Sequence, residues 1–453
     1  MEDTIAAIST PIGEGGIAII RVTGPRALEV ADCLFVSNAG KPSEFQSHTI
    51  RFGTISSNGD PIDRVMLSVM KAPRTYTGED TAEINCHGGV AVARRILGVV
   101  LEHGARLAEP GEFTRMAFLN GRMDLAQAES VMDVIRAKTD RSLAVASRVL
   151  DGHLSNHVNT IRDQLIKVLA HIEAYIDFPD DDIQPKTRRD LTSALRVARE
   201  ELLKLLATAK NGKVLRQGVS IAIVGRPNVG KSSIMNALLG QDRSIVTPIA
   251  GTTRDTIEET ACICGIPAIL IDTAGIRVPR GAAERMGVTR SRKALELSDL
   301  AMHVLDGSQR LRASDTEIVG LCRGRPTITV INKIDLPRRL KFPAADLRPN
   351  IIEASTVSGD GIETIRNLVE RLSLSAGGET DQASPAINER HAAAMRHAEK
   401  SLTAAIDMMD GSEPPEIAAH EIRVSLNAIG EVTGRVTTDD ILDRVFSQFC
   451  IGK

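Results

Sequence analysis

The chain has 453 residues, a formal net charge of −3, 42% hydrophobic residues and 2% aromatic residues with no Trp. That length calls for two to four domains, and so few rings exclude a protein that grips single strands by stacking bases. The small net charge excludes a global electrostatic hold on nucleic acid, so any RNA contact is local or shared with a partner. The six cysteines, Cys33, Cys86, Cys262, Cys264, Cys322 and Cys450, are too scattered for a disulfide framework. Cys262-Ile263-Cys264 has the wrong spacing for a zinc knuckle and reads as two same-face strand residues. Neither a leader-like start nor an apolar run of membrane-spanning length, roughly 18 residues, is found, so a soluble cytoplasmic protein is expected.

Strands are predicted over Thr4–Ile8, Gly16–Val22, Arg51–Ile55, Val65–Met70 and Ala82–Cys86, where apolar and β-branched residues concentrate. Between Gly89 and Glu102, Val92, Ile96, Val99 and Val100 recur at helical spacing. Residues 1–118 thus read as an α+β domain, and Pro110-Gly111 breaks the chain near its end. From Asn120 the pattern becomes helical. Leu125, Ala128, Met132 and Ile135 form one stripe, and Leu154, Val158, Ile161, Leu165, Val168, Ile172 and Tyr175 a second. After the acidic break Asp177-Phe178-Pro179-Asp180-Asp181-Asp182, a third runs through Leu191, Leu195, Ala198, Leu202 and Leu205. Such stripes need one another, or other helices, to be buried.

Residues 218–375 alternate strands and helices. A linker, Ser375-Ala376-Gly377-Gly378-Glu379-Thr380-Asp381, follows, and helical spacing resumes through Ile417, Ile422, Leu426 and Ile429, then Ile441, Val445 and Phe449. Thr438-Asp439-Asp440 offers the last helix a cap and an acidic first turn. The fold class is therefore multidomain α/β and α+β. An N-terminal domain (1–118) precedes a discontinuous all-α domain (119–217 and 376–453) that is interrupted by a nucleotide-binding domain (218–375).

The interruption opens with the apolar strand Val219–Val224 and then Gly225-Arg226-Pro227-Asn228-Val229-Gly230-Lys231-Ser232-Ser233, a phosphate loop leading into a helix. Its glycines let backbone N–H groups close around phosphate oxygens, aided by the helix dipole. Lys231 reaches the β- and γ-phosphates, and the Ser232 hydroxyl ligates Mg²⁺. Four further elements follow in order. Ala250-Gly251-Thr252-Thr253-Arg254-Asp255 offers Thr253 as second Mg²⁺ ligand. The strand Ala268–Ile271 delivers Asp272 to the metal shell, with Thr273, Ala274 and Gly275 beside the γ-phosphate. Asn332-Lys333-Ile334-Asp335 follows a strand, and Asp335 accepts from N1–H and the 2-amino group of guanine, a pair that adenine cannot present. Ser355-Thr356-Val357 could lie against the guanine carbonyl, although Thr356 and Val357 replace the alanine and the basic or polar residue usual there. The order of the five elements identifies a guanine-specific Ras-like P-loop GTPase domain binding GTP and Mg²⁺.

Familiar small GTPases position water with a glutamine directly after the glycine of the third element. Here Ile276 stands at that position and cannot orient water. Arg277, Arg280, Glu284 and Arg285 are the nearby candidates: a carboxylate holds water, and an arginine neutralises transition-state charge.

Outside this domain the chain carries Thr4-Ile5-Ala6-Ala7-Ile8, Gly15-Gly16-Ile17-Ala18-Ile19-Ile20-Arg21, Tyr76-Thr77-Gly78-Glu79-Asp80, Cys86-His87-Gly88-Gly89 and Pro110-Gly111-Glu112-Phe113-Thr114. Phe118-Leu119-Asn120-Gly121-Arg122-Met123-Asp124-Leu125 and the terminal Phe449-Cys450-Ile451-Gly452-Lys453 complete the set. Together these motifs resemble the bacterial tRNA-modification GTPase family MnmE (also called TrmE). The resemblance implies a homodimer whose N-terminal domains pair and bind a tetrahydrofolate one-carbon donor, 5,10-methylene- or 5-formyl-tetrahydrofolate. It implies a flavoprotein partner, MnmG, and installation of an aminomethyl-type group (carboxymethylaminomethyl) on C5 of the wobble uridine of certain tRNAs. Carried over by position, the folate contacts are Arg21, Glu79, Arg122 and Lys453. Arginine stands where the family usually has lysine at position 122, which keeps the charge and changes the geometry.

For the GTPase, the resemblance implies a K⁺ ion held by Asn228 with oxygens of Thr247, Ile249 and Thr252, in the place of an arginine finger. The nucleotide-contacting stretch then includes Pro248, Ala250 and Gly251. Glu284, in Glu284-Arg285-Met286-Gly287, matches the family's catalytic glutamate, with Arg277 an auxiliary candidate. Cys450 is either a participant in the modification chemistry or a packing thiol. The alternative function is a ribosome-assembly GTPase switch, which predicts basic RNA-binding appendages that this chain lacks. A folate-dependent transferase with a vestigial GTPase domain is disfavoured, because Lys231, Ser232, Thr253, Asp272 and Asp335 are all present.

Overall fold

The computed structural model describes residues 3–177, 187–240, 257–272, 292–341, 350–374, 386–411 and 413–453. The N-terminal elements are β1 (Ile5–Ile8), β2 (Gly15–Thr23), α1 (Ala27–Leu34), β3 (Phe35–Val36), β4 (Thr49–Ser57), β5 (Asp60–Met70), β6 (Thr81–Gly88), α2 (Val90–Glu102), β7 (Arg106–Leu107) and α3 (Glu112–Leu119). Helices α4 (Leu125–Arg136), α5 (Asp140–Leu150), α6 (His153–Asp177), α7 (Arg188–Ala207) and α8 (Ala209–Gln217) follow. Next come β8 (Val219–Val224), α9 (Lys231–Leu239), β9 (Ile257–Ile263), β10 (Ile266–Asp272), β11 (Leu300–Asp306), α10 (Ala313–Leu321), β12 (Thr327–Asn332), β13 (Ile351–Glu353) and α11 (Ile362–Ser373). The chain ends with α12 (Glu389–Asp410), α13 (Pro415–Thr433) and α14 (Asp439–Phe446). Two compact units result, Met1–Met132 with Gly430–Lys453, and Asp133–Ile429.

The first unit is built on a seven-stranded sheet of order β3-β4-β5-β6-β2-β1-β7. All pairs are antiparallel except β1 with β7. Alternation sends Ile20 and Val22, Val65, Leu67 and Val69, and Ile84 and Cys86 to one face. There they meet Ala27, Val30 and Leu34 of α1 and Ile96, Val99 and Val100 of α2. Every strand predicted here is present. Helix α1 was not predicted: its buried residues Ala27, Val30, Ala31 and Leu34 do recur at helical spacing, but over only eight residues. The Pro110-Gly111 break is real: Gly111 has φ 72°, and a Cβ there would lie 2.7 Å from the Phe446 carbonyl oxygen. The first helical stripe, Leu125, Ala128 and Met132, packs on Leu442, Val445, Phe446 and Phe449, while Ile135 is exposed. Thr438 stands at the start of α14, but its side chain makes no capping bond. Its carbonyl instead accepts from the N–H groups of Ile441 and Leu442.

In the second unit Leu154, Val158, Ile161, Leu165, Val168 and Ile172 of α6 and the whole α7 stripe are buried as predicted, while the side chain of Tyr175 lies outside the described ones. Thr187 and Asp190 form a capping box that starts α7. Arg188 donates to the Met408, Met409 and Glu413 carbonyls, and Arg199 pairs with Glu399, so α7 is fastened to α12 and its C-terminal end. Along α13 the buried line runs through Ala418, Ile422, Ser425 and Ile429, leaving Ile417 exposed, contrary to the sequence reading.

The same unit holds a six-stranded sheet of order β13-β12-β11-β8-β10-β9. It is parallel except for the β9 edge, the strand order of a Ras-like P-loop domain. Its strands are near-continuous apolar runs because both faces are covered. One face buries Ile234 and Leu238 of α9 and Ile365 and Val369 of α11; the other buries Ala294, Leu295, Ile318 and Cys322. Register sets Asp272 beside Ile223 and Asp306 beside Asn332, so the carboxyl ends of β8, β10, β11 and β12 form one rim. Ligands of such sheets bind at that rim. Cys264 lies past the end of β9 with φ 51°, in the turn to β10 and not in the strand with Cys262.

Candidate active site

The phosphate loop leaves β8 at Gly225, whose φ of 153° and closeness to the Val304 carbonyl leave no room for a Cβ. It ends at Gly230, φ 100°, where a Cβ would strike the Asn332 amide. Lys231 then opens α9. Its Nζ donates to the carbonyls of Gly225 at 3.0 Å and Arg226 at 2.8 Å, curling back over the loop it serves. Burial pushes this ammonium below its ordinary pKa, opposed by the nearby Asp272 carboxylate. Ser232 and Ser233 are exposed on the first turn, and Ser232 Oγ donates to Asp272 Oδ2 at 2.9 Å. The hydroxyl and carboxylate assigned to the Mg²⁺ environment are thus in direct contact. An oxygen pair of this kind suits a hard divalent cation.

The guanine loop is tied to the phosphate loop. Asn332 Nδ2 donates to the Val229 carbonyl at 3.0 Å, and Lys333 Nζ donates to the Asn228 carbonyl at 2.8 Å. Asp335 is exposed, and its Oδ1 accepts from Ser355 Oγ at 2.6 Å. Ser355 Oγ in turn accepts from the N–H groups of Val357 and Ser358, at 3.2 and 3.3 Å. These bonds fix the orientation of the carboxylate that the sequence reading assigns to the base. Thr356 is half-buried and Val357 is 85% exposed, so the irregular fifth element still supplies its working serine. Asn228 is exposed, in the left-handed region at φ 64°.

Several predicted residues lie outside the described ones: Thr247, Pro248, Ile249, Ala250, Gly251, Thr252, Thr253, Thr273, Ala274, Gly275, Arg277 and Glu284.

Two acids that the motif reading missed belong to the site. Asp315 in α10 is fully buried. Its Oδ1 accepts from Arg226 Nε at 2.7 Å and its Oδ2 from the Arg312 N–H at 2.9 Å. Asp306, at the end of β11, accepts from Lys333 Nζ at 2.7 Å. The only sequence signal for Asp315 was Arg226, an arginine placed inside a phosphate loop, a charge that needs a partner once it is buried.

In the first unit, Arg21 Nε donates to Glu83 at 2.8 Å, and its guanidinium lies 5.8 Å from the Tyr76 ring centre and 5.6 Å from that of Phe113. Asn120 Nδ2 donates to the Thr77 carbonyl at 2.7 Å, and a Cβ on Gly78 would lie 3.5 Å from Arg122 Cγ, so the turns bearing Glu79 and Arg122 adjoin. The tail folds onto the same unit: Ile451 bridges Pro110, and a Cβ on Gly452 would meet the Ile8 carbonyl oxygen at 2.6 Å. Ile8 is one residue along β1 from Ala7, the register partner of Arg21. Cys450 is exposed and Lys453 half-buried.

Residues 4–122 match the family model described as GTP-binding protein TrmE N-terminus, and residues 125–450 that of the MnmE helical domain. The tRNA modification GTPase MnmE of Ligilactobacillus salivarius is 46% identical over 100% of this chain and 98% of its own length. The chain belongs to the MnmE family of tRNA modification GTPases. A second MnmE, from Listeria welshimeri, is 44% identical over 100% of this chain and 99% of its own. Among solved structures, Era from Aquifex aeolicus is 29% identical over 40% of this chain and 66% of that one, with a TM-score of 0.26. The match to MnmE proteins runs through both units.

Proposed function

We propose that this chain is a K⁺-dependent GTP hydrolase that acts as a homodimer with the flavoprotein MnmG. Together they add an aminomethyl-type group to C5 of the wobble uridine of certain tRNAs, with a tetrahydrofolate derivative as one-carbon donor. The observation that carries this reading is end-to-end similarity to MnmE proteins combined with a guanine-nucleotide rim whose key side chains already touch. Lys231 gives up the Gly225 and Arg226 carbonyls for the β- and γ-phosphates, a favourable exchange for a cation held in partial desolvation. Ser232 and Thr253 would hold Mg²⁺, which neutralises charge on the phosphates. Asp335, oriented by Ser355, accepts the two guanine donors.

Asn228, Thr247, Ile249 and Thr252 would hold K⁺, and Glu284, aided by Arg277, would position the attacking water. In the first unit, the adjoining Glu79 and Arg122 turns, Arg21 and the tail bearing Cys450 and Lys453 support a pocket for an acid-bearing heterocycle such as folate. The basic groups suit its glutamate carboxylates, and Glu79 suits the donor edge of its pterin. Among the described residues no helix is long and apolar enough to cross a membrane.

Two measurements test the reading. GTP turnover should be several-fold faster in KCl than in NaCl and should collapse in Glu284→Ala; equal rates in both salts would refute the cation assignment. Wobble-nucleoside mass spectrometry on tRNA from cells lacking the protein should show loss of the C5 modification, and an unchanged profile would overturn the tRNA assignment.

A further inference from the structure

Asp306 is 1% exposed, yet it belongs to none of the five nucleotide elements. Its carboxylate is saturated with donors: the Ser308 N–H at 2.9 Å, Ser308 Oγ at 2.6 Å, Gln309 Nε2 at 3.0 Å and Lys333 Nζ at 2.7 Å. Burial raises its pKa, but the bonds from Lys333 and Ser308 outweigh that and leave it below the ordinary carboxylate value. Lys333 itself sits at φ 65° and spans from this carboxylate to the Asn228 carbonyl, 2.8 Å away. Asn228 also has positive φ, 64°, in the middle of the phosphate loop. Two non-glycine residues in the left-handed region, joined through one ammonium, form a strained arrangement that its partners must maintain.

We propose that Asp306 is a positioning residue for the guanine nucleotide, acting through Lys333 to fix the Asn228 carbonyl and hence the shape of the phosphate loop. The inference rests on the GTP-site reading and adds a residue to it. An aliphatic lysine stem would lie where the loop needs it only if its charged end were anchored. Asp306 supplies that anchor from the neighbouring strand, in register with Asn332. Asn332, from the same loop, holds the next carbonyl, that of Val229. Two successive carbonyls of the phosphate loop are therefore held from the guanine loop, and only one of the two ties depends on a buried acid.

The test uses the full-length protein and a fluorescent GDP analogue. Asp306→Ala should speed nucleotide release about tenfold, and Asp306→Asn, which removes the charge at nearly constant shape, about threefold. KM for GTP should rise in step while kcat at saturation falls less than threefold. The double variant Asp306→Ala/Lys333→Ala should release nucleotide no faster than the faster single variant, since both act through one link. Unchanged release in Asp306→Asn, or multiplicative effects in the double variant, would overturn the inference. If Asp306→Ala does not fold, the Asp306→Asn and Lys333→Ala variants carry the same comparison. A wild-type protein that bound no guanine nucleotide would instead sink the site reading itself.

Discussion

Ser232 Oγ and Asp272 Oδ2 lie 2.9 Å apart, joining the first turn of α9 to the carboxyl end of β10. Both reach the rim because β8, which leads into α9, and β10 are paired in parallel register up to Ile223 and Asp272. The contact predicts a shared metal environment. Asp272→Ala should lower single-turnover GTP hydrolysis on the order of a hundredfold, the scale on which loss of one charge-organising group acts. Ser232→Ala should raise the Mg²⁺ concentration needed for half-maximal turnover. Magnesium titrations that coincide with wild type in both variants would show that the pair does not serve the metal.

Base selection should reside in Asp335. A charged acceptor facing two donors contributes about 1.5–3 kcal/mol per hydrogen bond. Asp335→Asn should therefore weaken GTP binding by at least on the order of a hundredfold. Because xanthine carries a carbonyl where guanine carries its amino group, the same variant should come to prefer XTP. Competition between GTP and XTP for a fluorescent nucleotide reads the switch directly, and retention of the GTP preference would place base recognition elsewhere.

Arg226 and Asp315 form a buried ion pair, 8% and 0% exposed. Removing one partner strands the other, which costs about 3–5 kcal/mol, whereas replacing both by apolar residues is close to neutral. Asp315→Ala should thus lower the denaturant midpoint markedly, and the double variant Arg226→Met/Asp315→Leu should recover most of the loss. A double variant as unstable as the single would mean that the pair does more than satisfy its own charges.

The elements that sequence periodicity made legible are those with long stripes or continuous apolar strands: α6, α7, β5, β6 and β8. The nucleotide rim was legible because its chemistry fixes both residue type and spacing, as in Gly230-Lys231-Ser232. Asp306 and Asp315 were not, because the cation each one holds, Lys333 or Arg226, lies on a different element far along the chain. Thr438 shows the opposite failure. Its sequence context is that of a helix cap, yet the hydroxyl makes no such bond and the backbone alone starts α14. Ile135 and Ile417 fit helical spacing but sit at the edges of their stripes, where the period alone does not decide exposure.

The cysteines make a prediction with a definite pH sign. Cys86 is 2% exposed and its thiol donates to the Ala18 carbonyl. Burial, with Asp63 nearby, pushes its pKa from the ordinary 9.0 up to about 11. The fold therefore favours the protonated thiol. This contribution to stability is fully present below the unfolded value of 9.0 and is lost as pH rises through about 11. At pH 8 the shift leaves about a hundredfold less thiolate on native Cys86 than on the unfolded chain, and the thiolate is the nucleophile. Iodoacetamide followed by peptide mass spectrometry should label the exposed Cys450 in the native protein and label Cys86 only after denaturant is added. Native labelling of Cys86 at a rate equal to that of Cys450 would show that the sheet face beneath α1 and α2 opens to solvent.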